Sequence, residues 1–323
     1  MISFVIIEPM KQKNPYPYAF DNKRYTTFTY YCHQHYGHKV VKIPLQAGFT
    51  CPNRDGSKSV GGCAFCSEHG SGEFNLAHQS PINQQYEQAI IRYACKWPTA
   101  HTMPYFQSFT NTYCSVSHLQ QKVDALKPYA DQIDAYAFAT RVDCLTDDML
   151  TYLFELNKIK DVWVELGLQT SNDVTKQALN CCHTNDQAIN THQRLKEAGI
   201  KTVIHIINGL PNETKDDMLA TVDFVNQLQP TACKFTMLHI LDNAPLGKVY
   251  QTSPWPILTL EEYLDVLCCQ LQHLNPEIVV ERICGDGDKT HIIEPKWTDN
   301  KIQVMNELDK KMAKENIMQG QLY

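Results

Sequence analysis

Three cysteines on one stretch, Cys51, Cys63 and Cys66 in GFTCPNRDGSKSVGGCAFC, are the residues of this sequence best suited to chemistry. Thiolates are soft ligands that suit zinc and iron–sulfur clusters. A structural zinc site takes four closed protein ligands, and His69, three residues past Cys66, would complete a Cys₃His set. A four-iron cluster is usually held by four cysteines, so three leave one iron open to a small chelating molecule. Both readings stand on these residues alone. Simple packing is the poorest of the three accounts, because a Cys-x-x-Cys beside the glycine pair Gly61–Gly62 is weak core material.

The segments around this loop alternate between strand and helix patterns. Lys39–Leu45, Thr102–Phe109, Ala135–Thr140, Val162–Leu168, Thr202–Ile207 and Cys233–Ile240 read as strands. Helical patterns fall at Ile82–Trp97, Ser117–Leu126, Thr146–Asn157 (opening on a Thr-x-x-Asp cap), Asp173–Leu179, Asn185–Ala198, Thr214–Leu228 and Leu260–Leu274, the last after a Pro-rich loop. Six such units predict an α/β fold with a parallel sheet, a partial (β/α)6 TIM-type barrel. A C-terminal strand and helix extension follows: strand Ile278–Ile283, turn Gly285–Gly287 and helix Asn300–Glu315. The expected organisation is an N-terminal arm over 1–37, the partial barrel over 38–275, and an extension packed on it over 276–323. The cysteines then sit in the loop after strand one. In such folds the loops at strand C-termini carry the chemistry.

The whole chain narrows the function class. Its 323 residues are 43% hydrophobic and 20% charged, with a formal net charge of −6. That composition is ordinary for a globular protein and supplies no global basic field for nucleic acid. Thirteen scattered cysteines are an odd number and do not form a secreted disulfide framework; they suit a reducing cytoplasm. No apolar run reaches the about 18 residues of a membrane span. MISFVIIEPM has no basic region before its apolar run, so no signal peptide is expected, and Met1 and Met10 are both candidate starts.

The cysteine loop, with Phe65 before its last cysteine, and the segments KIPLQAGFTCPNRDG, YFQSFTNTY, ATRVDCL, VELGLQT, HIINGLPNET, KFTMLHIL and ICGDG resemble the radical S-adenosylmethionine superfamily, in its YhcC/YtqA-like branch. The catalytic subunit of the elongator complex belongs to the same subgroup, whose first cysteine gap is longer than the superfamily's usual one; here it spans eleven residues. The resemblance covers almost the whole chain. It implies a 4Fe–4S cluster on Cys51, Cys63 and Cys66 whose open iron takes the amino and carboxylate groups of S-adenosylmethionine (SAM). Reductive cleavage of SAM would then give methionine and a 5′-deoxyadenosyl radical. It also implies cofactor contacts: Phe65 beside the adenine; Gln107, Ser108, Thr110 and Asn111 toward the methionyl end; Arg141 on the methionine carboxylate, unless it pairs with Asp143 or Asp147. Glu165 would point toward the ribose, the ammonium or Arg141, with Gln169 on the same strand face. His205 and the backbone of Gly209 in GLPNET complete the set, and Lys234, His239 and Gly285–Asp286–Gly287 lie furthest from the cluster, facing substrate or plugging the barrel. Cys181–Cys182 and Cys268–Cys269 read as packing residues in helical stretches.

For substrate, the resemblance points to tRNA, with modification at carbon 5 of a wobble uridine from carboxymethylaminomethyl to aminomethyl. Lys11, Lys13, Lys23, Arg24, Lys39, Lys42, Lys310, Lys311 and Lys314 are candidate phosphate contacts, and Tyr16, Tyr18, Tyr25, Tyr30 and Tyr31 candidate stacking platforms. A flavodoxin- or ferredoxin-type electron donor is the other implied partner. The alternatives are a radical enzyme acting on a small metabolite or protein, and a zinc-stabilised, non-catalytic binding protein.

Overall fold

The computed structural model describes residues 14–70 and 80–323. Met1, Met10, Lys11 and Lys13 lie outside the described residues. The strands are β1 (Val40–Leu45), β2 (His101–Phe106), β3 (Ala135–Thr140), β4 (Asp161–Gln169), β5 (Lys201–Asn208), β6 (Ala232–Met237), β7 (Ile240–Leu241), β8 (Val279–Arg282) and β9 (Ile292–Glu294). Seven of them form one parallel sheet in the order β1-β2-β3-β4-β5-β6-β8, curled into a half-barrel. The helices are α1 (Phe28–Tyr36), α2 (Ile82–Ala94), α3 (Val116–Asp124), α4 (Asp147–Asn157), α5 (Asp173–Ala178), α6 (Asn185–Glu197), α7 (Lys215–Leu228), α8 (Pro245–Thr252), α9 (Leu260–His273) and α10 (Lys301–Lys314). Side-chain caps set several helix starts: Thr146 accepts from the Met149 amide, and Thr184, Thr214 and Thr259 each close a capping box.

Period-two alternation divides the strand residues between two environments. The outer face sends Ile43, Leu45, Phe106, Phe138, Val164, Leu166, Ile204 and Phe235 against the helices. The inner face sends Val40, Met103, Ala135, Ala137, Trp163, Val203, Ala232 and Val279 into the closed end of the barrel. Trp163 is fully buried among those small neighbours. Helix α1 runs from the start of β8, where Thr27 bridges Val280, to the start of β1, and so covers the gap at the bottom of the half-barrel. Its Phe28 and Tyr31 rings meet Trp163 edge-on at 5.7 and 5.4 Å, and Trp163 Nε1 donates to Tyr36 Oη at 3.3 Å.

Three elements differ from the sequence expectation. The strand expected over Cys233–Ile240 ends at Met237; the Leu238 amide bonds Asn208 O, and the chain restarts as β7, which pairs antiparallel with β9. The Pro-rich loop contains helix α8, with Pro245 in its first turn, where the missing N–H costs nothing. Cys181 and Cys182 occupy the loop between α5 and α6 rather than a helix, Cys182 with φ +56°. In addition, β8 hydrogen-bonds to β6 as a seventh barrel strand.

Trp163→Ala is expected to cost about 3–5 kcal/mol, the range for emptying a buried aromatic site, read as a lower denaturant midpoint of the purified chain.

Candidate active site

Along β4 the inward residues form a ladder from bottom to top: Asp161, Trp163, Glu165, Gly167 and Gln169. The middle rung is a layer of buried charge. Glu165 is fully buried and accepts from Lys42 Nζ on β1, Lys234 Nζ on β6 and, at 2.7 Å, His205 Nε2 on β5. Glu281 on β8 takes Lys42 at 2.6 Å and Lys234 at 3.1 Å. Two carboxylates therefore face two ammonium groups across the barrel, and the Lys234 ammonium stands 4.7 Å from the centre of the Tyr105 ring.

Burial works to raise the Glu165 carboxyl, but Lys234, Lys42 and His205 together hold it well below its ordinary value. His205 is held below the usual histidine value, chiefly by burial and then by Lys234. The layer is thus charge-balanced with His205 neutral.

Above this floor opens a cavity of about 290 Å³ at the C-terminal ends of the strands. Cys51, Cys63 and Cys66 line one side, with Phe65; Gln107, Thr110, Arg141, Glu165, Gln169 and His205 line it as well. Lys234, His239 and Gly285–Asp286–Gly287 line it too. Three expected contacts, Ser108, Asn111 and Gly209, do not reach it, and Ser108 is itself buried. Asn111 is fully buried and its Nδ2 donates to Phe106 O, Ser108 O and Ala139 O, so it staples two strand ends together. Gly209 packs under Met237, whose Cε would lie 2.7 Å from an added Cβ.

Arg141 lines the cavity, but its guanidinium holds Asp143 through two bonds of 2.8 and 2.9 Å and Cys181 O at 2.7 Å. It pairs with neither Glu165 nor Asp147, and Glu165 turns to the two lysines instead. Lys42, expected as a phosphate contact, is inside the barrel for the same reason. Lys23 pairs with Asp309, and Lys311 with Asp265 and Glu315. The tyrosine arm lies at the bottom of the barrel with α1: Tyr16 and Tyr25 are buried there, at the end opposite the cysteine loop.

The cysteine loop is built by backbone geometry. Gly61 and Gly62 adopt φ +80° and +82°, and a Cβ on Gly62 would lie 3.1 Å from Arg54 Nε. That closeness brings Arg54 beside Cys66, where it donates to Cys66 O at 3.3 Å and to Ser67 O. Asn53 Nδ2 approaches Cys63 Sγ at 3.6 Å and donates to Asn180 O at 2.6 Å. Cys181 also hydrogen-bonds Cys63, which with burial raises the Cys63 thiol well above its ordinary value. Burial raises Cys66 to about 11.

These thiols stay protonated until a metal displaces the proton, and N–H donors stand ready beside Cys63 and Cys66 for an anionic sulfur ligand set. Among the described residues, the three sulfurs are not grouped within 4.8 Å of one another, nor is His69 with them. Cys181, Asn53, Glu281 and the buried, unpartnered His183 Nδ1 beside Arg141 are site residues that sequence reasoning did not find. Only Asn53, two residues past Cys51, carried a positional signal.

Comparison with known proteins agrees with this geometry. The model of the Radical SAM superfamily matches residues 60–225, which include Cys63 and Cys66, and the Radical_SAM C-terminal domain matches 230–314. YtqA of Bacillus subtilis is 38% identical over 97% of both chains. YhcC of Escherichia coli is 31% identical over 87% of this chain and 90% of its own. Among solved structures, an archaeal Elp3 from Methanocaldococcus infernus superposes with a TM-score of 0.67 at 15% identity, over 87% of this chain and 64% of that one.

Glu165→Gln leaves Lys42 and Lys234 sharing one carboxylate and is expected to cost about 3–5 kcal/mol, as for a broken buried ion pair. A carboxyl held low in the fold stabilises above its unfolded value near 4.5 and loses that contribution as pH falls through the folded value. The denaturant-midpoint gap between wild type and Glu165→Gln should therefore stay constant from pH 8 to 6 and narrow only below pH 4.5.

Proposed function

This chain belongs to the radical S-adenosylmethionine superfamily, whose cofactors are a 4Fe–4S cluster and SAM, and from that premise we propose that it is a radical generator whose cluster is held by Cys51, Cys63 and Cys66. The observation that carries the reading is the convergence of those three cysteines on a cavity floored by the Glu165 charge layer. When bound, cluster and SAM supply one-electron cleavage of the sulfonium, giving methionine and a 5′-deoxyadenosyl radical.

The chain's own residues do the rest. Gln107, Thr110 and Gln169 offer neutral hydrogen-bonding groups at the rim, and Phe65 an apolar face. Glu165 presents a carboxylate that stays ionised because two lysines hold it. Arg141 acts by fixing the Cys181 carbonyl and Asp143 beside the cysteine loop, and so orients that wall rather than gripping a ligand. The reductant is a flavodoxin- or ferredoxin-type donor. Thirteen free cysteines fit a reducing cytoplasm, and no described helix is long and apolar enough to cross a membrane.

For substrate we propose a tRNA wobble uridine bearing a carboxymethylaminomethyl group at carbon 5. What supports it is the resemblance of the segments quoted above to the elongator subgroup, together with the chemistry of that group. Its CH₂ lies between nitrogen and carboxylate, so a carbon radical there is stabilised from both sides. Loss of the hydrogen atom and of one further electron to an iron–sulfur-class acceptor leaves a protonated imine. Hydrolysis then gives 5-aminomethyluridine and glyoxylate.

Anaerobic protein reconstituted with iron and sulfide should form 5′-deoxyadenosine from SAM and dithionite, and Cys63→Ala should form none. With tRNA carrying the carboxymethylaminomethyl group, nucleoside mass spectrometry should find aminomethyluridine. If 5′-deoxyadenosine forms while that tRNA is unchanged, the radical reading stands and the tRNA assignment fails.

A further inference from the structure

At the end of the barrel opposite the cysteine loop, three side chains from neighbouring strands converge. His38 precedes β1, His101 opens β2 and Asp134 immediately precedes β3. His38 Nε2 lies 2.7 Å from Asp134 Oδ2, and His101 Nδ1 lies 3.0 Å from Asp134 Oδ1. The two imidazoles are 4.1 Å apart between ring centres. One ligand atom from each residue lies within 4.8 Å of the other two, and among the described residues no other trio of histidine, cysteine or carboxylate ligands does so.

We propose that His38, His101 and Asp134 form a second metal site, distinct from the cysteine loop, that binds a borderline divalent cation of the zinc class. Two imidazoles and one carboxylate are a ligand set that zinc takes with water in the fourth position.

Charge argues for the cation. The Asp134 side chain is 14% exposed, and among the described residues its ion-pair partners are these two imidazoles alone. Lys39, next to His38 in sequence, is turned to the Trp97 ring at 4.9 Å. A largely buried carboxylate with no lysine or arginine partner is costly unless its charge is met; a divalent cation supplies the countercharge.

Rigidity argues for the site being preformed. The His101 amide bonds Lys39 O and the Asp134 amide bonds Thr102 O, each at 3.1 Å, so sheet-type backbone bonds fix all three positions relative to one another. The histidine side chains remain 35% and 39% exposed, which leaves an entry path and room for water. Strand β1 ends the sheet order, so a metal here would tie that edge strand to β2 and β3.

The rival arrangement uses the same atoms: two imidazole N–H groups donating to the carboxylate, so that the facing ring nitrogens carry protons instead of lone pairs for a metal. Zinc analysis and zinc K-edge absorption on the full, cluster-reconstituted chain separate the two. The expected result is about one zinc per chain beside the cluster iron, with nitrogen and oxygen neighbours at about 2.0–2.2 Å, an imidazole signature, and no sulfur neighbour near 2.3 Å. Asp134→Asn and His101→Gln should each lose that zinc while keeping the iron content of wild type. No bound zinc, zinc with sulfur neighbours, or zinc retained in both variants would overturn the proposal. Where a variant does not fold, the wild-type zinc spectrum decides alone, because an imidazole-and-oxygen shell supports the site and a sulfur shell refutes it.

Discussion

A fully buried carboxylate at the centre of a half-barrel, Glu165, is the constraint on which the rest of this structure depends. An ionised carboxyl in that position is tolerable only with opposite charge and hydrogen bonds around it. Lys42, Lys234 and His205 supply them from three different strands, and Glu281 balances the second lysine. Because those partners come from β1, β5, β6 and β8, the layer also fixes how far the sheet curls. The barrel cannot flatten without exposing the lysines or separating them from the carboxylates.

That layer separates two ends with different composition. Below it, Trp163 and a set of small and apolar residues fill the barrel and accept α1 as a cover. Above it the inward positions turn polar, and the strand-end loops bring three cysteines to a cavity wall. One strand, β4, carries both worlds on alternate residues. Asp161 and Trp163 serve the closed end, Glu165 the floor, and Gln169 the rim, the last displaced by a bulge and a φ of +72°. The chain's chemistry is therefore confined to one end by the same alternation that packs the other.

Much of this was legible in the sequence, for physical reasons. Strands such as AYAFAT and VWVELGL show their periodicity directly, and a glutamate inside an apolar strand announces a buried charge that must be paired. The identity of the partners was hidden. Nothing local marks Lys42 as interior, since KVVKIPL reads equally well with that lysine in solvent; only the position of β1 across from β4 decides it. Arg141 has Asp143 two residues away, and that short loop satisfies it before any ligand does. Asn111 resembles a binding residue by type, yet three carbonyls of converging strand ends claim its amide. Cys181 is separated from Cys63 by more than a hundred residues, and their contact exists only because the α5–α6 loop folds over the cysteine loop. Helix α8 was masked by its own proline, Pro245, which starts it.

The central claim is that Cys51, Cys63 and Cys66 hold a cluster with an iron open to SAM. Electron paramagnetic resonance of the reconstituted, anaerobically reduced chain, recorded with and without SAM, tests it most directly. The account predicts a reduced-cluster signal whose g values shift when SAM is added, because the cofactor binds the cluster itself. A chain that gives no cluster signal, or one whose spectrum is identical with and without SAM, would contradict it.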